Sequence, residues 1–240
     1  EWPYGMLRLA GGDLLLFGFS ESAGGTTRNQ YAVRVGPDGE VLWELAGDAP
    51  GEELILDALE TPNGDLVLAV AAEEDGKLVR LDAAGHLLWQ KRYELAGWQY
   101  ASQVAPAGDG EFLLAGFSMS TGPPQQADTW LARCSSTGEL MWQTTFGDPG
   151  FDDYATSLIR LSDGTYLAGA IADGMLLSRV DQDGNVLWRR SPVGDAVHGA
   201  MGLLELPEGG YLVAGLIQLV PGRSYDAVLL RTDPEGRITE

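Results

Sequence analysis

Residues 151–190 read FDDYATSLIRLSDGTYLAGAIADGMLLSRVDQDGNVLWRR, and four other segments of the chain are variations on this stretch. Asp-Gly pairs end at Gly164, Gly174 and Gly184 and divide it into four short apolar runs. Asp-Gly favours tight hairpin turns, because glycine tolerates positive φ and aspartate can accept a hydrogen bond from its own backbone. The stretch therefore predicts four short antiparallel strands in a meander.

The predicted strands are apolar at consecutive positions as well as alternate ones. In the fourth strand Val186, Leu187 and Trp188 follow one another directly. Such runs are typical of strands that are covered on both faces. A meander buried on both faces is not stable alone, so the pattern predicts that copies of the unit stack on one another.

Five copies recur in nearly the same register. A glycine precedes each fourth strand, and the steps between these glycines are 46, 53, 46 and 52 residues. An arginine stands five residues before each glycine, and a tryptophan stands four residues after the first four, with Glu240 in the fifth tryptophan position. The glycines are Gly39, Gly85, Gly138, Gly184 and Gly236, the arginines Arg34, Arg80, Arg133, Arg179 and Arg231, and the tryptophans Trp43, Trp89, Trp142 and Trp188.

Five copies of a four-stranded unit predict an all-β fold: a single five-bladed β-propeller of four-stranded antiparallel blades. One domain covers residues 1–240, with repeats at about 4–46, 52–94, 98–146, 151–192 and 196–240. One arginine and one tryptophan per copy suit a contact repeated between neighbouring blades better than a ligand site. We therefore assign these arginines and tryptophans a structural role.

The segments Trp142–Ala170 and Val180–Trp188 resemble the tryptophan-docking, quinoprotein-like propeller repeats of bacterial and archaeal envelope and secreted proteins. These repeats share the pattern DGGYLVAG, then LVRLDxxGxxxW, then GDDYA. The resemblance implies a propeller in a secreted or cell-envelope protein, although the chain shows no signal peptide. It implies no single function, because such repeats occur in enzymes, scaffolds and adhesins alike.

The composition restricts the partners. A formal net charge of −20 and a pI near 4.2 argue against nucleic acid, since phosphate binding needs a basic face. No apolar run is long enough to insert into a membrane. The single cysteine, Cys134, excludes a disulfide framework and a cysteine metal cluster. We expect no cofactor and no metal. A protein, or a polyhydroxylated or cationic small ligand, fits the acidity, and the oligomeric state stays open.

A less regular charge position lies four residues before the first turn glycine of each copy. It is filled by Arg8, Glu60, Arg160 and Glu205 in four copies. If these side chains approach a central channel, Glu60 and Glu205 form a candidate carboxylate pair for acid–base chemistry. The two arginines make ion pairs that close the channel the better interpretation.

The candidate binding residues lie in the linkers that lead into the first strand of each copy. In a propeller these linkers open on the same face as the loops between the second and third strands. Exposed aromatic side chains among acids can bind cationic groups, sugars or peptides. An alternative is that Asp152 and Asp153 cap the start of a strand. The set is Glu52, Glu53, Trp98, Tyr100, Asp152, Asp153, Tyr154 and His198.

Two classes of function follow from these patterns. The first is a non-enzymatic binding or scaffolding propeller of a secreted or cell-envelope protein. The alternative is a propeller enzyme of the glycosidase, aryl-sulfotransferase or quinoprotein-like kind, with its site at the channel mouth. We assign no catalytic residue, since the chain lacks a nucleophile constellation and His198 is the single candidate for sulfate transfer.

Overall fold

The computed structural model describes residues 1–21, 27–47, 50–73, 75–94, 97–119, 126–193, 197–217 and 225–239. These residues form antiparallel sheets and contain no helix. The fold is all-β, a five-bladed β-propeller, and this confirms the predicted fold class. By contacts the chain divides into two compact units: Glu1–Leu114 with Cys134–Leu140, and Ala115–Arg133 with Met141–Glu240.

The first unit contains the first two sheets. Their orders are β1-β2-β3-β4 and β5-β6-β7-β8, so consecutive strands pair as in a meander. The strands are β1 (Trp2–Arg8), β2 (Leu14–Glu21), β3 (Arg28–Val35), β4 (Val41–Ala46), β5 (Glu53–Glu60), β6 (Leu66–Ala72), β7 (Asp75–Leu81) and β8 (Leu87–Tyr93).

The third sheet has the order β12-β11-β10-β9, and its strands are divided between the units. The second unit also holds β13-β14-β15-β16 and β17-β18-β19, and a bridge between Thr232 and Ile238 marks the place of the last outer strand. The strands are β9 (Trp98–Gly108), β10 (Glu111–Met119), β11 (Ala127–Cys134), β12 (Leu140–Phe146), β13 (Tyr154–Arg160), β14 (Tyr166–Ala172), β15 (Gly174–Val180), β16 (Val186–Arg190), β17 (Val197–Glu205), β18 (Tyr211–Ile217) and β19 (Asp226–Thr232).

The turns follow one geometry. In the fourth copy the N–H of Leu161 donates to Thr165 O (2.8 Å) and the N–H of Gly164 donates to Leu161 O (3.0 Å). Gly164 has a φ of +86°, a conformation that costs glycine little and other residues more. The glycine of the Asp-Gly pair is therefore required by the hairpin geometry that the pair was predicted to form.

The second and third strands of the second, third and fourth copies form most of the core. Every residue of β6 is buried, and in β15 only Arg179 is partly exposed. In the first unit Leu15, Ile55 and Leu68 belong to one apolar cluster. In the second unit Leu177 and Val213 belong to another. The middle strands of these three copies are thus covered on both faces, as their continuous apolar runs predicted, whereas β19 is largely exposed.

The outer strands depart from that prediction. Val186 and Leu187 in β16 are exposed, and the same holds for Val41 and Leu42 in β4. The reason is that β16 and β4 are the last strands of their sheets, and only the tryptophan of each packs on a neighbouring turn. Two-sided burial of the fourth strand was therefore a wrong expectation.

Two leucines of the fourth blade test this distinction. Leu177 is fully buried and Leu187 is 51% exposed. Leu177→Ala should lower the free energy of unfolding by about 2–5 kcal/mol, because it leaves a cavity in the core. Leu187→Ala should change it by about 0.5 kcal/mol or less, as exposed substitutions do. Urea unfolding measures both, and equal costs for the two variants would contradict the edge position of Leu187.

Candidate functional site

The repeated arginine and tryptophan form a lock between the first and second blades. The Nε1–H of Trp43 donates to Ala83 O (3.0 Å), and Nη1 of Arg34 donates to the same oxygen (2.6 Å). Arg34 also pairs with Asp13 (2.7 Å). The Trp43 ring covers Gly85, where a Cβ would lie 2.8 Å from a ring carbon. An indole, a guanidinium, a carbonyl and a bare Cα together hold the junction.

The same lock recurs along the chain. Arg80 donates to Ser136 O (2.8 Å), and Trp89 covers Gly138. In the second unit Arg133 and Trp142 both donate to Gln182 O (2.6 and 3.1 Å). The remaining rings and glycines follow the register of the sequence, with Trp142 on Gly184 and Trp188 on Gly236. These side chains are engaged in junctions between blades.

Two glutamates at the charge position near the end of the first strand accept hydrogen bonds from turns. Glu60 Oε2 accepts a hydrogen bond from the N–H of Ala10 (2.6 Å). Glu205 accepts from the N–H and the Oγ–H of Ser162 (2.7 and 2.8 Å). Arg8 and Arg160 lie exposed at the ends of β1 and β13. The described contacts therefore give Glu60 and Glu205 the same role, in which each glutamate holds a turn of the preceding blade.

Asp153 is buried and is not available to a ligand. Its Oδ2 accepts from the N–H of Asp148 (2.7 Å) and pairs with Arg189 (2.9 Å). Burial raises the pKa of Asp153. Asp152 Oδ1 accepts from the N–H of Ala127 (2.8 Å) and stays exposed. The structure thus favours the alternative in which the two aspartates tie the linker to the start of β11. Contrary to the prediction, Asp153 is not exposed on the binding face.

Glu53 is also buried and is paired within the fold. Its Oε1 lies 2.8 Å from Lys77 Nζ and 3.2 Å from Arg92 Nη2. Removing Glu53 would leave the charge of the buried Lys77 uncompensated, and the loss of a partner from a buried pair typically costs about 3–5 kcal/mol. This ion-pair cluster is structural. Contrary to the prediction, Glu53 does not lie on the surface where a ligand could bind it.

The tyrosines of the predicted face are partly buried. Tyr154 packs edge-on against Phe117, with ring centroids 4.8 Å apart. Tyr100 packs with Phe19 and Leu54, and burial raises its pKa. The backbone of His198 is part of β17, whereas its side chain lies outside the described part of the structure.

Two of the predicted binding residues meet at a cavity in the first unit. Its volume is about 570 Å³, and it is lined by Glu52, Glu73, Asp75 and Trp98. Trp98 is 56% exposed. Three carboxylates therefore share a concave surface with one accessible indole. Within the described residues, no acidic or histidine cluster has the form of a metal site.

The conformation of Glu73 shapes this cavity. Its φ is +52°, which is uncommon for a residue with a side chain. The N–H of Glu73 donates to Glu52 O (2.9 Å), and a Cβ at Gly51 would overlap the Glu73 carboxylate. The side chain therefore folds over the linker that carries Glu52. Glu73 and Asp75 were absent from the predicted site. The signal that could have found them is an acidic run in the short loop between β6 and β7, where other copies place glycine.

Cations flank the cavity on two sides. Arg28 Nε lies 3.9 Å from Glu52, and its guanidinium covers the Phe19 ring at 5.3 Å. Arg92 Nη1 lies 3.5 Å from Asp75. Among the described residues no ion pair forms on Glu73. The cavity thus keeps an excess of negative charge at its tryptophan.

Asp57 is a titratable residue that the sequence reading missed. It follows a bulge in β5, where the register shifts between Ile55 and Asp57. Oδ1 accepts from the N–H of Ala58 and Oδ2 from the N–H of Val104 in β9, both at 2.9 Å. Burial raises the pKa of Asp57 to about 6, although the two hydrogen bonds oppose the shift. Because its oxygens join two strands, Asp57 serves the junction of the second and third blades.

Comparison with known proteins gives the family. A family model described as "Outer membrane protein assembly factor BamB" matches residues 22–149, more than half of the 240-residue chain. The chain belongs to this family. The family has a PQQ-like repeat, in agreement with the resemblance of the repeats to quinoprotein propellers. No curated protein sequence matches the chain. In its described part, no helix is long and apolar enough to cross a membrane.

Solved structures similar to the chain share its fold. A protein of unknown function from Bacteroides caccae has a TM-score of 0.68 at 16% identity, over 98% of this chain and 79% of that one. A protein of unknown function from Dyadobacter fermentans has a TM-score of 0.66 at 12% identity, over 97% and 78%. The WD40 domain of Neurospora crassa Pan2 has a TM-score of 0.67 at 11% identity, over 99% and 64%. At these identities the likeness shows a shared fold and nothing more.

The raised pKa of Asp57 predicts a pH-dependent stability. The native state binds the proton more tightly than the unfolded chain, whose aspartate has a pKa near 3.8. The stability that Asp57 contributes is therefore full below about pH 4 and is lost as the pH rises through 6. The loss reaches about 3 kcal/mol, since one pKa unit corresponds to about 1.4 kcal/mol.

Urea unfolding of the native chain and of Asp57→Asn between pH 4 and 7 measures this loss. As the pH rises from 4 to 7, the free energy of unfolding of the native chain should fall by that amount relative to that of Asp57→Asn. Asp183→Asn, in an exposed turn, controls for the removal of one charge. A difference that does not change with pH would show that Asp57 titrates normally.

Proposed function

We propose that this propeller is a non-enzymatic binding module that holds a cationic group of its partner in the cavity at Trp98. The observation that carries the proposal is the convergence of Glu52, Glu73 and Asp75 around one exposed indole. An ammonium or guanidinium group over an indole face gains about 0.5–2 kcal/mol. Carboxylates beside it add charge-assisted hydrogen bonds.

The electrostatics of the chain support a cation over a neutral sugar. The net charge of −20 attracts basic partners over several ångströms and raises their rate of encounter. Arg28 and Arg92 offset part of the charge on Glu52 and Asp75. A ligand cation should therefore gain the most interaction energy from the carboxylate of Glu73.

The roles of the other acids support binding over catalysis. Glu60 and Glu205 accept hydrogen bonds from turns, and Glu53 and Asp153 are buried in ion pairs. A glycosidase needs two carboxyl groups free to exchange protons with substrate. These four acids are engaged in holding the blades, so they do not favour the enzyme alternatives.

The family supports a cell-envelope setting for the module. The family description names an assembly factor of the outer membrane. We infer that the chain belongs to a secreted or cell-envelope protein and binds a protein partner through a lysine or arginine side chain. Scaffolding of that partner is the role that this arrangement serves.

A labelled oligolysine peptide tests the cavity. Trp98→Ala should weaken binding about tenfold, the equivalent of about 1.4 kcal/mol, and Glu73→Gln should weaken it several-fold. Raising the salt from 0.1 to 1 M should also weaken the binding of the peptide to the native protein, because the Debye length falls from about 10 to about 3 Å. Fluorescence anisotropy measures these affinities.

Two exposed residues outside the cavity serve as matched controls. Phe151→Ala removes an exposed aromatic side chain, and Asp152→Asn removes an exposed carboxylate. Binding that falls equally in all four variants would reflect the general acidity of the chain and contradict the proposed cavity. Turnover of a glycoside or aryl sulfate that Glu60→Gln abolishes in a folded protein would instead support the enzyme alternative.

A further inference from the structure

The two arginines beside the cavity at Trp98 are held with different strength. Arg92 lies 3.5 Å from Asp75 and 3.2 Å from Glu53. Because Glu53 is only 4% exposed, moving Arg92 away would weaken the compensation of a buried charge. Arg92 is therefore fixed in its place next to Asp75.

Arg28 is held less firmly at Glu52. Its Nε lies 3.9 Å from Glu52 Oε1, and the two side chains are 48% and 57% exposed. An exposed ion pair of this kind contributes little to stability, since water and salt screen it. The guanidinium also lies over the Phe19 ring, 5.3 Å from its centroid. Arg28 can therefore leave Glu52 at little cost.

A second carboxylate lies within reach of Arg28. The register of β2 and β3 places Glu21 directly opposite Arg28. Directly opposite residues of antiparallel strands share one face of the sheet, with Cβ atoms about 4.5–5.5 Å apart. Both side chains are exposed. Arg28 thus has two alternative partners, Glu52 and Glu21, and can exchange one for the other.

The lining of the cavity suits a cation that donates hydrogen bonds. Glu52, Glu73 and Asp75 supply three carboxylates, and Trp98 supplies one indole. A quaternary ammonium ion has no N–H to donate and is typically bound in a cage of several aromatic rings. A lysine ammonium has three N–H donors, and carboxylates are their strongest acceptors. Carboxylates that outnumber the rings therefore favour the lysine ammonium.

We propose that the cavity selects an N–H-donating cation, the ammonium group of a lysine, over a quaternary ammonium. The ammonium lies at Trp98, takes Glu52 from Arg28, and donates N–H groups to Glu52 and Glu73. Arg28 then pairs with Glu21, so the displaced charge keeps a partner. This inference rests on the proposed function, because it specifies which cation the cavity binds.

Two labelled oligolysine peptides of equal length test the selection. One is unmodified, and in the other every lysine is trimethylated, which keeps the positive charge and removes the side-chain N–H donors. General attraction by the acidic chain is therefore the same for both. The native chain should bind the unmodified peptide at least about fivefold more tightly, because the trimethylated one forms no charge-assisted hydrogen bonds. Fluorescence anisotropy measures both affinities.

Two exposed carboxylates provide a matched pair in the chain. Glu52→Gln should reduce the preference for the unmodified peptide to about twofold, since an uncharged amide oxygen is a weaker acceptor than a carboxylate. Asp183→Asn removes the same charge from an exposed turn. The preference should stay at its native value in Asp183→Asn.

Two exposed arginines test the exchange at Glu52. Arg28→Gln should strengthen the binding of the unmodified peptide about threefold, because the ligand no longer competes with a tethered cation in an exposed ion pair. Arg160→Gln removes the same charge at the end of β13 and should have a smaller effect. Arg28→Lys keeps the competing cation and should restore the native affinity.

The outcomes distinguish a failure of this inference from a failure of the proposed function. If Trp98→Ala weakens both peptides but the native chain binds them equally, the cavity binds cations without selecting N–H donors, and the inference is overturned. A preference that persists in Glu52→Gln, or equal effects of Arg28→Gln and Arg160→Gln, would overturn it as well. If Trp98→Ala weakens neither peptide, the cavity is not the binding site, and the proposed function is wrong together with this inference.

Discussion

The structure depends on the fit of a tryptophan ring over a glycine of the next blade. At Gly85 the positive φ and the approach of Trp43 both exclude a side chain, so one residue satisfies two constraints. Ala83 O then accepts from both the indole and Arg34, which fixes the turn in two directions. Each junction is thereby determined by a few atoms, and the loops of the copies are free to differ.

The candidate site lies where the second copy differs from the others, beside the loop between β6 and β7. A left-handed conformation at Glu73 costs about 1–3 kcal/mol and persists only where its surroundings determine it. Here the backbone bond to Glu52 and the lack of a side chain at Gly51 hold it. The second copy therefore departs from the repeat at a point that its surroundings hold fixed, and this point shapes the cavity at Trp98.

The sequence predicted what is periodic and missed what depends on single tertiary partners. The number of blades and the turns followed from the glycine spacing, because a repeated backbone needs the same residue each time. The burial of Asp153 and Glu53 did not, since it is decided by Arg189 and Lys77 far along the chain. The exposure of Leu187 and the raised pKa of Asp57 were hidden for the same reason: one depends on the edge of a sheet and the other on a bulge.

The use of positive charge within the fold bears on the proposed cavity at Trp98. Several arginines of the chain are engaged in locks and ion pairs, as Arg34 and Arg189 are, whereas Arg8 and Arg160 lie exposed. The acids outnumber the basic residues by 35 to 15, and the surplus has to lie largely on exposed surface because unpaired charge is costly to bury. A cation brought by a partner therefore offsets part of this surplus of negative charge. This applies to an ammonium group at Trp98.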